Sequence, residues 1–203
     1  MWPFGRKRAE RRERDMAERA HLCEDPPRAH SVREEYLHLV TRQCKCGGDY
    51  ETLDHTLRYL KGQPRDVIEA RCTRCRAFRC FVYDISFFFG KSDDEICRTT
   101  PSELLDVMDW AHHGYSCLHQ GSAATGEGSA VRAERQDRLL QDAIWAFEEM
   151  LKFYPSNGNY PFPIGFFNHK AVHHSQLRLR YPRHLISDAV GAARARLRKI
   201  EQD

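Results

Sequence analysis

The stretches "CKCGGDY" (residues 44–50) and "CTRC" (residues 72–75) decide the fold, together with what lies between and after them. Cysteines one or two residues apart allow one tight turn to present two sulfurs together. Gly47 and Gly48, just after the first pair, let the backbone fold back without a Cβ clash. Between the pairs, "DYETLDHTLRYL" and "RDVIEARC" are β-prone runs separated by "KGQP", a natural turn. A hairpin built from them brings its two ends together and delivers four sulfurs to one point. The following "AFRCFVYDISFFF" is rich in aromatic and β-branched residues, as a buried strand is, and Gly90 is expected to end it. The pattern predicts a three-stranded antiparallel sheet with a cysteine pair at each end of its first hairpin.

Four thiolates suit one tetrahedral zinc ion whose positions are all filled by protein, as in structural rather than catalytic sites. Cys44, Cys46, Cys72 and Cys75 are the expected ligands. The pattern resembles the zinc-ribbon superfamily over about residues 40–90, in which two cysteine knuckles clamp a small three-stranded sheet. The second pair has the family's usual C-x-x-C spacing, whereas the first is C-x-C. Cys80 is the replacement ligand if Cys44 stands aside; otherwise its strand parity, shared with Phe78 and Val82, places it in the core. An iron–sulfur cluster and a redox dithiol are the alternatives for the same four residues. Cys23, Cys97 and Cys117 read as buried or bystander thiols.

Around this module the sequence is helical. "SVREEYLHLVTRQ" carries Ser31 as a cap with Glu34 three residues on, and Tyr36, Leu39 and Val40 form its apolar side. "TPSELLDVMDWAHH" offers Thr100 as N-cap, Pro101 at the first helical position and Glu103 three residues after the cap. The strongest helix ends "DAIWAFEEMLKFYP": Leu140, Ile144, Phe147, Leu151 and Tyr154 form one stripe, and Pro155 stops it. The last helix is expected to bury Leu185, Ile186, Ala189, Val190, Ala193 and Leu197. The fold class is therefore α+β, a zinc-ribbon-like sheet packed with about four α-helices. Phe78, Phe81, Tyr83, Phe87 and Phe88 are expected to join sheet and helices. Three regions follow: a charged, mobile tail at 1–30, the β module with its preceding helix at 31–98, and a helical region at 99–203 with a Gly/Ser loop at 121–130.

Composition narrows the function classes. The 203 residues carry 32 basic and 29 acidic side chains, a net charge of +3, and this mixed surface differs from that of a chain that coats nucleic acid. No apolar run is long enough to span a membrane, and the charged start is not followed by the apolar stretch of an export signal. The expected location is the cytoplasm, where thiols stay reduced and eight cysteines read as ligands and buried thiols. No Ser/His/Asp arrangement, paired-acid motif or phosphate-cradling glycine loop is visible, so no catalytic residue is assigned. Asp84 is expected to pair with Arg71 or Arg79, or to support a knuckle. His112, His113, Cys117 and His119 form one possible further metal cluster, and His169, His173 and His174 another; each reads more simply as solvent-facing.

These features fit a non-enzymatic adaptor that binds a protein partner. The second reading is a nucleic-acid-binding ribbon of the transcription or translation machinery, with Arg71, Arg74, Arg76 and Arg79 as phosphate contacts. The third is an enzyme for which the ribbon is an accessory.

Overall fold

The structure, a computed structural model, describes residues 25–92, 99–123, 129–161 and 181–200. Its elements in chain order are α1 (Val32–Thr41), β1 (Tyr50–Leu60), β2 (Gln63–Cys72), β3 (Phe78–Asp84), α2 (Val107–Ala123), α3 (Ser129–Leu151) and α4 (Arg183–Ile200). The class is α+β, with a three-stranded antiparallel sheet and four helices among the described residues. The chain divides into two compact units. One holds α1, the sheet and residues 102–104, and the other holds residues 99–101 and the helices α2 to α4.

In the first unit the strand order is β1-β2-β3, and the turn at Lys61 and Gly62 takes positive φ at both positions, as a tight hairpin requires. Tyr50 pairs with Cys72 and Leu60 with Gln63, so the hairpin's open end carries the cysteines. Leu53 is an extra residue: Thr52 pairs with Ala70 and Asp54 with Glu69, a β-bulge that inverts the side-chain parity of β1. Tyr50 and Thr52 before it therefore share a face with His55 and Leu57 after it. That face also carries Asp66, Ile68, Ala70, Phe81 and Tyr83. Strand β3 stops at Asp84 rather than running to Gly90. The Asp84 carboxylate accepts from the Ser86 amide, and Phe88 and Phe89 donate to Ile85 in a turn. Phe87 leaves the sheet and stacks on His30 at 4.1 Å.

Ser31 caps α1 as expected, accepting from the Glu34 amide. The buried side of α1 differs from the expected one. Glu34, Glu35, Leu37 and Leu39 are buried, while Tyr36 and Val40 are exposed. Glu34 has local reasons for burial, since it accepts from the His30 amide at 2.5 Å and from the Ser102 hydroxyl. Below it, His38 Nδ1 meets Tyr83 Oη at 3.0 Å, Arg42 Nε donates to His38 Nε2 at 2.9 Å, and Tyr83 donates to the Glu35 carbonyl. This chain sets a neutral, Nδ1-protonated imidazole against the sheet. Pro27–Ala29 also join this unit: Asp84 donates to the Pro27 carbonyl, and the Ala29 amide donates back to Asp84. Residues 1–24, most of the expected tail, lie outside the described residues.

In the second unit α2 begins at Val107, not near Thr100. Asp106 Oδ1 accepts from the amides of Met108 and Asp109, and Asp109 Oδ2 accepts from the Asp106 amide, which makes a reciprocal cap. Upstream, Ser102 and Leu104 are held by the first unit, where Arg42 donates to the Leu104 carbonyl, so no helix can start there. Helix α2 continues to Ala123 and α3 starts at Ser129, so both ends of the expected 121–130 loop are helical. Leu140, Ala143, Phe147 and Met150 are the fully buried stripe of α3, with Ile144 and Leu151 only half-buried. The small Ala143 and Ala146 are both fully buried, and Trp145 meets Trp110 edge-on at 4.9 Å. Helix α4 buries Ile186, Val190 and Ala193, while Leu185 is exposed.

Candidate metal centre

All four predicted cysteines converge. Their sulfurs lie within 4.8 Å of one another, with Cys44 to Cys75 at 3.5 Å and Cys46 to Cys72 at 3.4 Å. These are free thiols, far beyond the roughly 2.05 Å of a disulfide. Sulfurs about 2.3 Å from a tetrahedral zinc would stand about 3.8 Å apart, close to this spacing.

The backbone explains how the two turns meet. Gly47, with φ of +76°, donates to the Cys44 carbonyl at 2.8 Å, and the Cys44 amide donates to Gly48 at 2.9 Å, closing the first knuckle. Arg76 donates its amide to the Cys72 carbonyl at 3.0 Å, and the Cys75 amide points at Cys72 Sγ at 3.5 Å, closing the second. The knuckles also bond to each other: the Thr73 amide donates to the Asp49 carbonyl at 2.9 Å, and Arg74 Nη1 to the Cys46 carbonyl at 2.8 Å. Gly48 faces the opposite knuckle so closely that a Cβ there would stand 2.8 Å from Cys72 Sγ and 2.7 Å from Arg74 Cβ. A backbone pressed this tightly against a sulfur is what a closed thiolate cage needs.

Electrostatics agree with the donor set. A backbone amide from Cys46 and contacts with Cys75 and Tyr50 bring the Cys44 thiol down to about 6, while amides in the second knuckle bring Cys72 down. Cys75 accepts an amide from Ala77, yet the sulfurs of Cys46, Cys44 and Cys72 push it up to about 12. The cluster therefore ionises readily at first but resists accumulating charge, and a divalent cation removes that resistance. The residues fit zinc.

Cys80 lies buried on β3 outside this group, and with Cys44 in place no replacement is called for. The four arginines each have an internal contact. Arg71 and Arg76 both pair with Glu51, at 2.8 and 3.2 Å; Arg79 lies 4.8 Å over the Phe81 ring; and Arg74 bonds the first knuckle. Asp84 pairs with its cross-strand neighbour Arg65 at 2.6 Å rather than with Arg71 or Arg79. Burial opposes ionisation of Asp84, but the Ser86 amide and Arg65 together hold its carboxyl below the usual range.

Of the expected histidine cluster, His113 comes to Cys117 at 3.7 Å across one helical turn, with Asp142 of α3 close by; His112 and His119 are exposed. His169, His173 and His174, like Cys23 and Cys97, lie outside the described residues. One further group was missed in sequence, Glu35 with His55 and Asp66. The two carboxylates and the imidazole gave no sequence signal of convergence, since Glu35 lies on a helix side that looked solvent-facing and the bulge at Leu53 concealed the parity of His55. No helix among the described residues is long and apolar enough to cross a membrane. No family model, curated protein or solved structure matches the chain.

Proposed function

We propose that this chain is a non-enzymatic, zinc-binding interaction protein whose zinc-ribbon-like module holds one structural zinc through Cys44, Cys46, Cys72 and Cys75. The carrying observation is the convergence of four free sulfurs on one point from two mutually bonded knuckles. Four protein sulfurs would leave the ion no open position for chemistry, so its role is to hold the sheet. A protein partner is supported by the outer strand β1, whose far edge pairs with no described strand and which exposes Leu53, Leu57 and Tyr59. Phosphate contact is less favoured because Arg71 and Arg76 already share the Glu51 carboxylate.

The test is elemental mass spectrometry of reduced, tag-free protein. One zinc per chain is expected in the parent and none in Cys44→Ser and Cys72→Ser; iron, or no metal, would sink the reading. Anisotropy titrations with labelled single- and double-stranded oligonucleotides separate the second function. Binding that falls steeply with salt and disappears in Arg74→Ala/Arg76→Ala would favour the nucleic-acid protein instead.

A further inference from the structure

The sheet carries a second convergence of ligating groups, on the face covered by α1. Glu35 reaches down from α1, while His55 and Asp66 are diagonal neighbours on β1 and β2, since His55 pairs with Ile68 and Asp66 with Leu57. His55 Nε2 lies 3.1 Å from Asp66 Oδ2 and 3.8 Å from Glu35 Oε2. The three ligating atoms lie within 4.8 Å of one another.

With both carboxyl groups ionised this arrangement lacks hydrogen-bond donors; burial and the neighbouring Asp66 push the Glu35 acid up to about 9, so without an ion a proton shared with Asp66 fills the gap. Glu35 is 0% exposed, and neither carboxylate oxygen has a hydrogen-bond partner. A buried carboxylate without a donor is expensive. His55 cannot supply the deficit. Its Nδ1 faces Tyr36 Oη at 3.0 Å, and if Nε2 carries a proton, Asp66 is the nearer acceptor. If Nδ1 carries the proton instead, Nε2 becomes a third lone pair facing two carboxyl groups. Either way the Glu35 carboxylate points at acceptors.

A divalent cation, taking the place of that proton, meets all three groups at once. Ligands about 2.1 Å from a zinc-like ion stand about 3.0–3.4 Å apart at octahedral to tetrahedral angles, near the separations found here. Tyr36, on the outer nitrogen of His55, is placed as the orienting partner that metal-bound imidazoles normally have. The fold also goes to some length to bring the imidazole there. If the ladder ran regularly through Leu53, His55 would pair with Val67 and face the opposite side of the sheet, and bulges commonly re-aim side chains next to sites.

We infer that Glu35, His55 and Asp66 form a second metal site, for a first-row divalent cation held by one imidazole nitrogen and two carboxylates. Three protein ligands leave positions for water or an added ligand, and the partly exposed His55 marks the side from which these arrive. The site is distinct in chemistry from the cysteine cage: nitrogen and oxygen donors in place of sulfur, and an open shell in place of a filled one.

The experiment uses the full-length, reduced, zinc-loaded protein titrated with Co²⁺, with bound cobalt counted by elemental analysis after equilibrium dialysis and its absorption recorded. One equivalent of cobalt is expected, with d–d bands but no sulfur-to-cobalt charge transfer. In Glu35→Gln and in His55→Ala its affinity should fall at least tenfold, while the zinc content stays at that of the parent. Glu35→Gln preserves size and removes a buried charge, and His55→Ala changes a partly exposed strand residue, so far-ultraviolet circular dichroism should match the parent in both. Cys117→Ser should leave the cobalt in place. The assignment is overturned if no cobalt binds, if it binds equally in both variants, or if Cys117→Ser removes it. Charge transfer from sulfur would instead place the cobalt on a thiol, in the cysteine cage or at Cys117, and overturn the assignment as well.

Discussion

Replacing Gly48 by Ala tests whether the two knuckles meet as described. Gly48 is buried, and a methyl group there would stand 2.7 Å from Arg74 Cβ, 2.8 Å from Cys72 Sγ and 3.3 Å from the Arg74 amide nitrogen. Relief requires a separation of several tenths of an ångström to about 1 Å between the knuckles. The Arg74 backbone is anchored by the turn that carries Cys75, so the displacement falls on the sulfurs. Overpacking of this kind costs about 1–3 kcal/mol. If the bound state bears that cost, zinc affinity falls by roughly 5- to 150-fold. The assay is competition for zinc against a chromophoric chelator near neutral pH. Gly191→Ala serves as the control, because nothing lies within 4 Å of the added carbon and the site is on α4. Affinity within twofold of the parent would refute the apposition of the two turns, and with it the case for a closed cage.

Three further outcomes follow from the same structure. Burial, together with Arg42 and Arg79, lowers His38 from 6.5 to about 3. The unfolded chain therefore binds a proton between these values that the folded chain refuses, so stability is full above about pH 6.5 and falls as the pH drops, by up to about 1.4 kcal/mol per pH unit. Urea melts at pH 6.5 and 5.0 should show a smaller acid loss in His38→Gln than in the parent; equal losses would count against the buried neutral imidazole. The two helical glycines should respond in opposite directions. Gly114→Ala drives a methyl to 2.7 Å from the Phe147 ring and should cost about 1–3 kcal/mol, whereas Gly191→Ala meets nothing and should gain about 0.5–1 kcal/mol by thermal melts. Finally, Cys72→Ser removes a ligand from a site expected to supply on the order of 10 kcal/mol of folding free energy. Hydrogen exchange should then show residues 44–90 open before α2 to α4, and uniform protection in both units would contradict a local staple.

Much of the first unit was legible because its signals are local. Two spaced cysteine pairs, a turn and alternating strands specify the hairpin whatever surrounds it, and Ser31 caps α1 from three residues away. What failed was non-local. Thr100 has the chemistry of a cap, but Ser102 and Leu104 are claimed by the first unit, so Asp106 caps instead. The stripe on α3 was shifted because an alanine signals close packing only once the facing helix is known; Ala143 and Ala146, not Ile144, turn inward. Asp84 chose Arg65 because antiparallel register placed them opposite each other. The group around Glu35 was the least legible, since it combines a helix side that looked solvent-facing with a strand whose alternation breaks at Leu53.

That extra residue also governs how this chain can vary. In an ordinary strand a substitution changes one side chain and leaves its neighbours alone. Flattening the bulge with Leu53 retained would re-pair every residue between Asp54 and Leu60 by one step, turning His55, Leu57 and Tyr59 to the face they now avoid. One such slip would act as a block exchange of the strand's inner and outer surfaces. A descendant of this sequence can lose Leu53 itself with every pairing kept, but it can move the bulge along β1 only by rewriting each residue that the bulge passes.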